Sequence, residues 1–152
     1  MTPRGRTNQL LYQAELLLAC APGEDEHAAA RRMAVEEGAL ALAELALDAA
    51  LRELTEHAAL ARHDWRELLG EQGEDVAELR RLRVLRDDPD SWLATLCQRL
   101  HALHDVEGAA RREASESLIV AADRMPLAEE LRWCLGAFKA ELAALRETSV
   151  EW

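Results

Sequence analysis

The sequence predicts an all-α fold, an up-and-down helical bundle of about five helices around a long central one, formed as a single domain over residues 1–152. Three observations predict it. Ala, Leu, Glu and Arg, all good helix formers, dominate the chain. Apolar residues recur at helical rather than alternating spacing. Proline and glycine are few and fall where helices should start or stop.

The organising stretch runs from His27 to about His57. At 100° per residue Met33, Leu40, Leu47, Leu51, Leu54 and Ala58 share one narrow sector, with Ala43 and Ala50 on its shoulder. That sector is a core face. Val35, Leu42 and Leu45 point the other way, so residues 39–47 are apolar almost all round, as in a helix that other helices surround. Gly38 is its one weak point.

Ahead of it, Thr2–Pro3 or Thr7 can open a first helix whose core stripe is Leu10, Leu11, Ala14, Leu17 and Leu18. Pro22–Gly23 ends that helix, and Glu24–Asp25–Glu26 puts negative charge at the start of the next, where the helix dipole favours it. Beyond His57, Ala61, Trp65, Leu68 and Leu69 stay in phase with the core face, yet Asp64 followed by Glu67 is a cap pair, which places a break or kink near residue 62. Glu74 to Arg86 reads as a helix with Val76, Leu79 and Leu82 inward. In Asp87–Asp88–Pro89–Asp90, Asp88 suits a cap and Pro89 a first helical position. The helix that follows carries Leu93, Leu96, Cys97, Leu100 and Leu103 on one face. Residues 108–125 lack helical periodicity, and Ser117–Leu118–Ile119–Val120 should lie extended against the bundle. Pro126 opens the last helix, with Leu127, Leu131, Leu135, Phe138, Leu142 and Leu145 as its core face.

Composition narrows the function classes. A net charge of -11 repels nucleic acid and anionic membranes, so neither is expected as a partner. Cys20, Cys97 and Cys134 are three, far apart and without a C-x-x-C pair, which fits a reducing cytosol better than a disulfide framework or zinc site. Residues 1–21 have the wrong order for a signal peptide, and no apolar run approaches the roughly 20 residues of a membrane span. The expectation is a soluble, cytoplasmic protein without a cofactor. Only Lys139 of 18 basic residues is a lysine, which reflects GC-rich coding more than function.

Arg6–Thr7–Asn8–Gln9, Pro89–Asp90–Ser91–Trp92–Leu93 and the terminal Glu151–Trp152 stand in an order and spacing that resemble an uncharacterised family of short all-helical proteins from pseudomonads and related gamma-proteobacteria. The resemblance spans nearly the whole chain, although the central helix here is richer in alanine. It implies a bacterial, all-helical protein carrying a domain of unknown function, and brings no activity or site residue with it. Caps, an N1 proline and a packed Trp explain the same motifs in purely structural terms.

Several constellations could carry chemistry. Arg99 and His104, like Arg52 and His57, have the Arg-x4-His spacing found in the helical ribonucleases of the HEPN class. There the His moves the 2′-hydroxyl proton and the Arg stabilises the phosphorane without a metal. The residue after that Arg is usually polar; Leu100 departs from this, Glu53 would bring negative charge towards a phosphate, and His104 projects to the apolar face, where a core histidine is the ordinary explanation. His101, His104 and Asp105, with Glu44 and Asp48 one turn apart, contain metal-ligand residue types, but di-iron bundles need two Glu-x-x-His motifs on separate helices and the one here, Glu24 to His27, lies in or beside a loop. Glu44 and Asp48 should instead pair with an arginine at a helix seam. Arg80, Arg81, Arg83 and Arg86 could hold a phosphate or acidic peptide, or simply answer Glu74, Asp75, Asp87 and Asp88.

The back of the last helix is the strongest candidate. Trp133, Gly136, Ala137, Ala140 and Ala144 cluster opposite its Leu/Phe face, where small residues admit another helix and a Trp can anchor it. The sequence therefore points to a non-enzymatic interaction module using this face for a protein partner or a homodimer, with neither catalytic nor metal residues. A HEPN-like ribonuclease is the alternative.

Overall fold

The computed structural model describes residues 1–111 and 125–150, so the Ser117–Val120 stretch and Glu151–Trp152 lie outside the described residues. Six α-helices and no strand occur among those residues: α1 Pro3–Leu18, α2 Ala28–Leu54, α3 Trp65–Leu68, α4 Ala77–Asp87, α5 Trp92–Leu103 and α6 Leu127–Val150. A 3-10 turn, Glu56–Ala58, follows α2.

Thr2 caps α1, its hydroxyl accepting the Gly5 N–H at 3.0 Å, with Pro3 at the first helical position. Leu10, Leu11, Ala14 and Leu18 bury that helix against α2. Gly38 sets the closeness of this pairing, because a Cβ there would stand 2.9 Å from Leu17 Cδ2. The α1–α2 turn uses Gly23 at φ 83°. Beyond it Asp25 accepts the His27 N–H at 3.0 Å and pairs with Arg31, and these contacts hold its carboxyl below the usual range.

Central α2 buries Ala39, Leu40, Ala43, Ala46, Leu47, Ala50, Leu51 and Leu54. It touches α1, α5 and α6 and the short α3. Other helices do not surround it, contrary to the all-round apolar pattern of residues 39–47, since Leu45 is 49% exposed and Leu42 only half-buried. The alanines Ala39, Ala43 and Ala46 are buried, and it is leucines that are left outside, since single exposed apolar residues are ordinary on a protein surface and an apolar count overstates how much of the helix is enclosed. Across the bundle Leu93, Leu96 and Leu100 of α5 meet Leu131, Leu135, Phe138, Leu142 and Leu145 of α6 in one aliphatic core. Trp92 and Phe138 stack at 4.9 Å between centroids.

Four boundaries differ from the sequence reading. The break expected near residue 62 begins at Thr55, whose hydroxyl donates to Leu51 O at 2.6 Å while Ala59 turns left-handed at φ 48°. Ala61, in phase on paper, is consequently exposed. Asp64 does cap a helix, accepting the Arg66 N–H at 2.8 Å, but α3 is a single turn. The helix expected from Glu74 starts at Ala77, because residues 74–76 are extended or turn-like and Arg83 spans them, donating to Leu68 O at 2.7 Å and Glu74 O at 2.6 Å. Finally Ser91, not Asp88, caps α5: its hydroxyl accepts the Ala94 N–H at 3.0 Å, and Pro89 sits in the preceding turn.

Candidate interaction surface on the last helix

The sequence of α6 divides the helix into three strips. Leu127, Leu131, Cys134, Leu135, Phe138, Leu142 and Leu145 are all buried and form the inward strip. Burial pushes the Cys134 thiol up to about 12, and its neighbour in the core, Cys97, up to about 11, so neither is a reactive thiolate.

Ion pairs and hydrogen bonds rule the two flanks. Toward α1, Arg132 donates to Leu18 O at 2.9 Å and Lys139 meets Glu15 at 2.6 Å. Further along, Arg146 donates to Glu53 of α2 at 2.6 Å and to Asn8 at 3.0 Å. Toward α4 and α5, Glu130 takes Arg99 at 2.5 Å and Glu141 meets Arg81 at 2.6 Å. Both rows of charged side chains are thus committed to the bundle. Between them runs the outward strip.

That strip holds the residues singled out from the sequence. Trp133 is 45% exposed, Gly136 and Ala140 are exposed, and Ala137 and Ala144 are half-buried at its edge. A Cβ placed on Gly136 would meet nothing within 4 Å. The strip is a shallow backbone-level trough beside one aromatic step, with Glu129 and Glu147 exposed toward its ends. An indole left half in water on a strip of small residues is the combination that interface anchors show.

The other candidate groups are drawn into the scaffold. Arg99 is bound to Glu130, whereas His104 ends α5 with its Nε2 at 2.8 and 3.0 Å from the two Glu44 oxygens. His104 is therefore an exposed, carboxylate-bound residue rather than a core histidine, because α5 stops one residue before it and the side chain leaves the apolar face. His57 lies 3.7 Å from Glu78, while Arg52 lies free of any carboxylate among the described residues. Glu44 also accepts the Trp65 indole N–H at 2.9 Å and stands 3.6 Å from Arg66, so it does join an arginine at a seam. Asp48 does not; it accepts the Trp65 backbone N–H at 2.9 Å. His101 packs edge-on against Trp65 at 5.3 Å. No group of three or more His, Cys, Asp and Glu side chains is placed to hold a metal ion among the described residues.

The basic cluster of α4 is likewise spent. Arg80 binds Asp75 at 2.7 Å, Arg81 meets Glu141, Arg83 binds backbone carbonyls, and Arg86 binds Asp87 at 2.7 Å. Sequence reasoning missed the Glu44–Trp65–His104 network, since its members are 21 and 60 residues apart and no local pattern links them.

No described helix is long and apolar enough to cross a membrane. No curated protein and no solved structure matches the chain. A family-level match does cover all of residues 1–152, and by it the chain belongs to a family of unknown function, DUF6586.

Proposed function

We propose that this protein is a non-enzymatic helical interaction module, a single domain whose working surface is the outward strip of α6. The observation that carries the reading is the exposed Trp133 beside Gly136, whose missing side chain leaves space open to an approaching helix. The flanking charged residues support it, because their commitment to α1, α2, α4 and α5 keeps the strip rigid without a partner. Such pre-organisation lowers the cost of binding.

The partner is a protein that presents a helix. A second copy is the simplest form, yet an antiparallel pair centred between Gly136 and Ala140 would set Glu129 against Glu147 of the other copy. A helix carrying basic residues at those two positions fits better. A bacterial cytoplasm, in pseudomonads and their relatives, is the setting this reading assumes; the free thiols of Cys20, Cys97 and Cys134 suit it. The ribonuclease alternative has no comparable support, since Arg99 and His104 are bound to different carboxylates.

Gly136→Leu tests the reading, because it fills the trough without touching the fold. The variant should melt at or above the wild-type temperature, given the roughly 0.5–1 kcal/mol that glycine costs inside a helix. It should also lose self-association in light scattering, or lose a stoichiometric partner in affinity capture. Retention of every complex by this variant contradicts the proposal.

A further inference from the structure

A second surface, lined by no residue of α6, has a different chemistry. A cleft of about 620 Å³ opens between the start of α1, the second half of α2 and the connector before α3. Leu10, Leu45 and Ala49 give it an apolar lining, and Arg6, Arg52 and His63 edge it. That volume lies in the range of small-molecule sites, roughly 300–1,000 Å³.

Its charges are unequally committed. Both acids in the cleft already accept backbone N–H groups of α3: Asp48 from Trp65 at 2.9 Å and Asp64 from Arg66 at 2.8 Å. The two arginines are not so engaged. Arg6 donates only to the amide oxygen of Gln9, at 2.6 Å, and Arg52 has no hydrogen bond or ion pair among the described residues. Nine other arginines of this acidic chain each meet a carboxylate. Arg83 and Arg132 bind backbone carbonyls instead, so Arg6 and Arg52 are two cations without a carboxylate that share one cleft with exposed apolar surface. His63 adds a group able to donate or accept, since burial and then the Arg52 charge hold it below its ordinary range and favour its neutral form.

We propose that this cleft binds a small amphipathic monocarboxylate, its carboxylate between Arg6 and Arg52 and its hydrocarbon part along Leu45 and Ala49. Planar guanidinium groups match a carboxylate through paired N–H donors. A single negative charge fits where a phosphate dianion does not, because Asp48 and Asp64 remain close by and repel the second charge. Half-exposed Leu45 gains burial when an alkyl chain covers it.

Octanoate, titrated calorimetrically into the full chain, is the probe, with octanol and inorganic phosphate as controls. Saturable binding of octanoate alone is expected, and the double variant Arg6→Gln/Arg52→Gln should weaken it at least tenfold. Both arginines are exposed, so helix content should not change; Leu45→Glu, also at the surface, should abolish binding by removing apolar cover and adding repulsion. Octanol or phosphate binding as well as octanoate, or unchanged octanoate affinity in the double variant, overturns the proposal. Because Trp133 and Gly136 lie on α6, away from the cleft lining, failure here leaves the interaction reading of α6 intact, and the reverse holds too.

Discussion

Asp48 sits half-buried on α2 and holds the first residue of α3 through the Trp65 N–H. Burial pushes its carboxyl up to about 6, although the Trp65 hydrogen bond pulls the other way. An acid raised in the folded state keeps its proton after the unfolded chain has released it. As pH climbs from about 4 to about 6, the folded form therefore binds more protons and loses stability relative to the unfolded one. Asp48→Asn removes that loss while keeping an oxygen for the Trp65 N–H. Chemical denaturation should show the variant more stable than wild type by about 1 kcal/mol at pH 8, after solvent screening of a half-buried group, with the difference vanishing below pH 4. A difference that does not change between pH 4 and pH 8 would mean that Asp48 is solvated like any surface acid. None of this is visible in the sequence, where Asp48 is one more carboxylate on a helix shoulder.

At the scale of elements, the last part of α6 is tied to α2 and α1 by Arg146, which binds Glu53 and Asn8. The ion pair is largely covered, with side-chain exposures of 17% for Arg146 and 11% for Glu53. Removing one partner strands the other in a poorly hydrated place, which costs more than the pair contributes. Arg146→Met should lower stability by about 2 kcal/mol, and adding Glu53→Leu should restore at least half of it. Urea denaturation of the two variants checks this; equal losses for the single and the double contradict it. Helix faces were legible at this scale. The six apolar residues expected on the inward face of α6 are all buried, as are four of the five expected on α1, Leu10, Leu11, Ala14 and Leu18, with Leu17 half-buried. Helix ends were less so, because they depend on partners distant in sequence. The termination of α2 at Leu54 rests on a left-handed Ala59, a residue type that favours helix, and on Trp65 binding Glu44 and Asp48 back on α2.

For the molecule as a whole, aliphatic periodicity predicted the all-helical class because packing of one continuous Leu/Ala core needs little else. The candidate surface was readable for the same reason: Trp133, Gly136 and Ala140 are out of phase with the core, and phase alone puts them outside. The cleft between α1, α2 and α3 was not readable, since Arg6, Arg52 and His63 meet only once α2 has ended and the connector has folded back. The outward strip of α6 and this cleft are thus the two surfaces proposed for binding. The measurement that bears most directly on the α6 reading is affinity capture from native lysate with wild-type protein and Trp133→Glu, each first shown to have the same helix content. Wild type should capture a stoichiometric protein that the variant loses, without enrichment or shortening of RNA. Capture of the same protein by both, or shortened RNA dependent on Arg99 or Arg52, would contradict it.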